Sequence, residues 1–127
     1  MSETSKPQTP YVSVVVPFYD EGESAADLVR ELRSVLGGLE RAYELILVDD
    51  GSRDNTWDAL RAGAEGDPRS TVLRLRTNSG QTAALAAGID RSVGEVIVIL
   101  DGDGQNDPAD IPKLLGEIDK GYDVVSG

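Results

Sequence analysis

Short, largely apolar runs separated by stretches of helical spacing constrain this chain more than any other feature. Tyr11 to Val16 (YVSVVV), ended by Pro17, is rich in β-branched residues; Tyr43 to Val48 (YELILV), Thr71 to Leu75, Glu95 to Leu100 (EVIVIL) and Tyr122 to Val125 (YDVV) share its apolar character. Such runs read as buried strands. Between the first two, Ala26, Leu28, Val29, Leu32, Val35, Leu36 and Leu39 recur with the period of a helix, which Gly37-Gly38 punctuates. Asp54 is placed to cap a second helix that turns Trp57, Leu60 and Ala64 inward until Gly66-Asp67-Pro68 breaks it. Ser79 to Ser92 is Ala-rich, so a helix there can lie close to a sheet, and Asp107-Pro108 starts a further helix running to about Asp119. Strict alternation of strand and helix, with strands apolar throughout, predicts an α/β fold. The sheet is expected to be mostly parallel and doubly wound, with helices on both faces.

The 127 residues suffice for one hydrophobic core. Residues 1–10, rich in Ser, Thr, Gln and Pro, are expected to form a disordered tail, leaving 11–127 as the folded unit. The start lacks the basic residues and apolar run of a signal peptide, and no segment approaches the roughly 18 apolar residues that cross a bilayer. The expectation is a soluble, cytoplasmic chain. Ser126-Gly127 follows directly on the fifth expected strand, where a doubly wound domain continues, so a C-terminal truncation is expected as well.

Function classes narrow quickly. Twelve basic and 23 acidic side chains give a net charge of -11, which repels nucleic-acid phosphates. Nucleotide binding stays open if a divalent cation bridges carboxylates and a diphosphate. The chain contains neither Cys nor His, so thiolate chemistry, Ser-His-Asp triads and His-based zinc sites are excluded within it. Chemistry must rest on carboxylates, amides, hydroxyls and bound metal.

In open parallel sheets, ligands bind beyond the carboxyl ends of the strands, near the point where strand order reverses. Polar clusters follow three expected strands: Pro17-Phe18-Tyr19-Asp20-Glu21, Asp49-Asp50-Gly51-Ser52 and Asp101-Gly102-Asp103-Gly104-Gln105. Strand ends share one rim, so these distant clusters should converge. Asp101 and Asp103, two apart in extended backbone, leave on the same side and can approach one cation, with Gln105 in the same period. Gly102 between them leaves room for a diphosphate. Hard oxygen ligands suit Mg or Mn. An acidic turn whose Asp caps a helix is the plainer reading of the same residues. Of Asp49 and Asp50, one can tie down the turn at Gly51-Ser52 while the other accepts a hydrogen bond from a base or ribose. Glu21 also suits a helix's first turn. At Asn78-Ser79-Gly80-Gln81, backbone N–H groups could hold an anion, or Asn78 could simply cap the helix.

In this order and spacing the clusters resemble glycosyltransferase family 2, whose members share the GT-A fold. The stretches VSVVVPFYDEGES, LILVDDGSRDNTWD, NSGQTAALAAGID and VIVILDGDGQNDPADIPKLL carry the likeness, which runs from about Val12 to Gly127. The D-x-D-x-Q-x-D-P form is most similar to the polyprenyl-phosphate branch, which includes dolichyl-phosphate mannose synthases. The resemblance implies the N-terminal, nucleotide-binding half of that fold. It assigns Pro17, Tyr19 and Glu21 to the loop around the nucleotide, and Asp50, with Asp49 as its alternative, to the base. It assigns Asp101, Asp103 and Gln105 to the metal and donor diphosphate, Asp103 being the principal catalytic ligand. Asp20 stands where Asn is common, Gly102 where Ala is common, and Gly104 replaces a bulkier apolar residue. The implied reaction is inverting transfer of a sugar from a UDP- or GDP-sugar to a polyprenyl phosphate, at the cytoplasmic face of a membrane for the full-length protein. The family continues past Gly127 with its acceptor region, so the implied fragment binds donor without turnover.

Other readings fare worse. No G-x-G-x-x-G follows the first strand, against a dinucleotide-binding enzyme. A D-x-D phosphatase places its motif after the first strand of the core. A non-catalytic Mg-binding module remains, either a receiver-like domain built on Asp49 and Asp50, which lacks a Lys at a suitable strand end, or a truncated nucleotide-binding remnant.

Overall fold

A computed structural model of the chain describes residues 10–101 and 107–119. The expected tail up to residue 9 and the expected strand Tyr122–Val125 lie outside the described residues. Four strands alternate with helices: β1 (Val12–Phe18), α1 (Gly22–Gly37), β2 (Tyr43–Asp49), α2 (Thr56–Ala64), β3 (Ser70–Arg74), α3 (Gln81–Arg91) and β4 (Val96–Ile99). A 3-10 turn at Pro108–Asp110 then leads into α4 (Ile111–Asp119). Asp107 starts that turn by accepting the Ala109 N–H at 2.9 Å, with Pro108 in the position that needs no donor.

The strands pair in parallel in the order β3-β2-β1-β4. The register sets Val12 beside both Tyr43 and Val96, and Phe18 beside Asp49. The chain therefore steps outward from β1 to β3 and crosses back over to lay β4 on the far side of β1. That reversal puts a topological switch point between β1 and β4. A receiver-like domain has β3 on the other side of β1 from β2; here β3 lies beyond β2, which speaks against that alternative.

Alternation along the strands sorts the side chains onto two faces. Val12, Val14, Val16, Phe18, Leu45 and Leu47 join α1, Leu60 of α2, and Ile111 and Leu115 of α4 in the larger core. Val15, Ile46 and Val48 face Ala84 of α3 in a smaller one. This side is thin because α3 presents small residues: a Cβ on Gly88 would lie 2.4 Å from the Val15 side chain, so only glycine allows this approach.

One expectation needs correcting. The strands are largely apolar, yet they are not all covered on both faces. All seven residues of β1 are buried, whereas Ile97 and Ile99 of β4 remain 40% and 43% exposed. The reason is that α3 packs over β1 and β2. Trp57, expected in the core, is only half-buried, with the guanidinium groups of Arg61 and Arg74 centred 5.9 and 5.2 Å from its ring. No described helix is long and apolar enough to cross a membrane.

Candidate functional site

A cleft of about 320 Å³ opens at the carboxyl ends of the strands, beside the switch point. Pro17, Phe18, Tyr19 and Glu21 from the end of β1, Asp50 from β2, Asn78, Gly80 and Gln81 from the entry to α3, and Asp101 from the end of β4 line it. Residues 84 positions apart in sequence, from Pro17 to Asp101, thus reach one cavity. Of the expected site residues, Pro17, Tyr19, Glu21, Asp50, Gly80 and Asp101 meet there. Gly102, Asp103 and Gln105 lie outside the described residues.

The two adjacent aspartates part ways because successive strand residues face opposite sides. Asp49 is 0% exposed, turned inward, and does not line the cleft. Its Oδ1 accepts the Ser52 N–H at 3.0 Å, which ties down the turn after β2. Its Oδ2 makes no hydrogen bond and has Arg74 Nε 3.6 Å away as its counter-charge. Asp50 is 4% exposed and faces the cleft. Its carboxylate accepts Asn78 Nδ2 at 2.9 Å, the Ser79 N–H at 2.8 Å and the Gly80 N–H at 3.0 Å. Asn78 therefore serves Asp50 rather than capping α3, and the N-cap position itself falls to Gly80, at φ +103°.

The wall formed by β1 and β2 is laced from loop to loop. Asp50 donates its N–H to Phe18 O at 2.8 Å, and Asp20 donates its own to Ser52 Oγ at 2.8 Å. The Arg53 N–H reaches Asp20 Oδ1 at 2.8 Å while the Arg53 guanidinium reaches Oδ2 at 3.0 Å. Glu21 donates its N–H to Thr56 Oγ1 at 2.9 Å, and Gly22 to Asp54 Oδ2 at 3.0 Å. Asp54 also accepts the Thr56 N–H at 2.9 Å, so it serves the first turns of both α1 and α2. Asp20 sits at φ +50°, a conformation that Asp and Asn tolerate better than other side chains. The Arg53 backbone N–H, then the Arg53 guanidinium, hold the Asp20 carboxyl below its ordinary pKa. The Thr56 hydroxyl, then the Thr56 and Gly22 N–H groups, do the same for Asp54.

Sequence reasoning overlooked the reach of Gln81. Its side-chain Nε2 donates to Asp101 Oδ1 at 2.8 Å, from the first residue of α3 to the end of β4. Only its place beside Gly80 hinted at this. Among the described residues no three acidic side chains cluster closely enough to hold a metal ion.

The family model for glycosyl transferase family 2 matches residues 13–127. The chain belongs to this family. Among curated relatives, an undecaprenyl-phosphate 4-deoxy-4-formamido-L-arabinose transferase from Pseudomonas paraeruginosa is 45% identical over 115 residues, covering 90% of this chain and 34% of that protein. The protein of the same name from Salmonella choleraesuis is 41% identical over 115 residues, covering 90% of this chain and 35% of its own length. The chain thus spans about a third of the length of these family 2 relatives. Among solved structures, the mannosyltransferase PcManGT from Pyrobaculum calidifontis, in complex with GDP-Man and Mn2+, is 31% identical with a TM-score of 0.60 over 76% of this chain and 28% of that one. A mycobacterial protein superposes with a TM-score of 0.71 at 25% identity, over 91% of this chain and 38% of that one. The fold is therefore the N-terminal part of the GT-A architecture, as the motifs implied.

Proposed function

We propose that this chain is the nucleotide-sugar-binding part of an inverting, metal-dependent glycosyltransferase that moves a sugar from a UDP- or GDP-sugar to a polyprenyl phosphate. The whole protein would act at the cytoplasmic face of a membrane. The observation that carries the reading is the convergence of Pro17, Tyr19, Glu21, Asp50, Gly80 and Asp101 on one cleft at the β1/β4 switch point. The arabinose-derivative transferases named above act on undecaprenyl phosphate, and the archaeal mannosyltransferase holds GDP-Man with Mn2+.

The cleft's own chemistry fits a divalent cation. Its described lining carries three carboxylates, Glu21, Asp50 and Asp101, and no Lys or Arg. Such a surface repels a nucleotide diphosphate unless a cation lies between them. Asp101, Asp103 and Gln105 would hold Mg or Mn, which supplies Lewis-acid stabilisation of the departing diphosphate. Tyr19 and Pro17 would wall the nucleoside, Asp50 would border the base, and Gly80 would admit the phosphates close to the start of α3. A phosphate acceptor is already anionic, so attack needs no strong base, in keeping with a chain that has no His.

Calorimetric titration with UDP and with GDP, each with Mn2+ and with EDTA, tests this reading. Binding of one nucleotide is expected only with the metal, and Asp103→Asn should largely abolish it. Equal affinity in EDTA would overturn the metal assignment, and no binding of either nucleotide would overturn the reading as a whole.

A further inference from the structure

We infer that Gln81 is a positioning residue: its side-chain amide orients Asp101, and Asp50 holds Gln81 in place through the turn that opens α3. The inference rests on the reading that the cleft takes a nucleotide with a divalent cation.

The argument starts from donors and acceptors. An ionised carboxylate only accepts, so the Gln81 amide must present its NH2 to Asp101 Oδ1, 2.8 Å away. Asp101 lies two residues beyond the end of β4 and is half-buried, and an aspartate side chain turns about two bonds. A fixed amide on a neighbouring helix narrows that freedom, as an outer partner does for a ligating carboxylate.

The amide can do so because α3 is pinned at both ends. At its entry, the three contacts from residues 78–80 to Asp50 fix the turn immediately before Gln81. Gly51 lets the turn after β2 come this close, since a Cβ there would lie 2.4 Å from Thr77 C and 2.5 Å from Asn78 N. Further along, Ala84 is buried in the smaller core and Gly88 lies against Val15, so α3 cannot slide along the sheet without a clash. The ends of β2 and β4 are thereby linked through the first turn of one helix. Asp50 thus bears on Asp101 through the residues that open α3.

Two measurements on this chain test the inference. In 1H–15N spectra recorded without nucleotide, the Gln81 side-chain amide pair should be displaced from the free-glutamine position, and Asp101→Ala should return it there. A pair that stays in place on Asp101→Ala would overturn the contact. In titrations with Mn2+ and the binding nucleotide, Gln81→Met should raise Kd about tenfold, the lower range for loss of a partner outside the metal's own ligands. In the Asp101→Ala background the same substitution should change Kd less than twofold. Full additivity would show that Gln81 does not act through Asp101. If the native chain bound neither nucleotide, the proposed function would fall while the spectra still decided the Gln81 contact.

Discussion

The two halves of the cleft rim are held together by different means. Where β1 and β2 end, backbone N–H groups of one loop meet side-chain or carbonyl oxygens of the other: Asp20 with Ser52, Glu21 with Thr56, Gly22 with Asp54, Arg53 with Asp20 and Asp50 with Phe18. The donors at the start of α1 are satisfied by a neighbouring loop instead of by a cap of their own. Where β4 ends, Asp101 is reached by a glutamine side chain from α3, and α3 takes its own position from Asp50 and from glycine contacts. The first half is a wall in which main-chain donors of one loop are held directly by oxygens of the other. The second inherits its geometry at one remove, which makes it the half that a single substitution can loosen without unfolding the protein.

The contrast would be broken most forcefully at Gly51, where the two halves touch. Its φ of +68° disfavours any other residue, and a Cβ would drive into the Thr77–Asn78 backbone. Gly51→Ala should cost about 2 kcal/mol or more in urea unfolding, combining positive-φ strain with displacement of the α3 entry turn. It should also abolish Mn-dependent nucleotide binding in whatever protein remains folded. A near-neutral Gly51→Ala would show that residues 77–78 can retreat freely, and the coupling between the halves would be lost with them.

Asp50→Ala is the next step down. It removes the acceptor for Asn78 Nδ2 and two backbone N–H groups but leaves the cleft open to water, which can replace part of what is lost. A cost of about 1–2 kcal/mol is expected. Amide hydrogen exchange should accelerate at Ser79 and Gly80 while the Asp20 and Arg53 amides, which belong to the other half, stay protected. Equal acceleration in both halves would mean that the rim opens as one unit.

Much of this was legible in the residues. The apolar runs gave the strands because a strand buried on both faces needs no polar alternation, as the fully buried β1 shows. The same rule overreached at β4, since Ile97 and Ile99 look alike in sequence whether or not a helix covers them. The convergence of the strand-end clusters followed from parallel topology alone. A division of labour between Asp49 and Asp50 was legible too, but not which of them takes which part, because that depends on which of two neighbours falls on the α3 side of the sheet, a one-residue matter of register. Gln81 escaped notice because its role depends on a distance across 20 positions of chain, fixed only by how closely α3 lies on the sheet.

The smallest expected effect sharpens the comparison through pH. Asp20 and Asp54 lace the β1/β2 half, and both carboxyls are held below the ordinary aspartate value by the N–H and hydroxyl donors they serve. A carboxyl with a depressed folded-state pKa contributes stability above its unfolded value, about 3.9, and that stability disappears as pH falls toward the folded value. The thermal midpoint should therefore begin to drop near about pH 4 and continue downward below it. Asp54 is exposed and Asp20 partly so, and solvent screening keeps the effect modest. In Asp54→Asn the acid-induced drop should be shallower than in the native chain, because one of the two titrations is gone. Gln81→Met should leave the slope unchanged, because it touches only the other half. A Gln81→Met chain whose acid profile followed that of Asp54→Asn would show that the two halves share one set of stabilising charges, and the distinction between them would not stand.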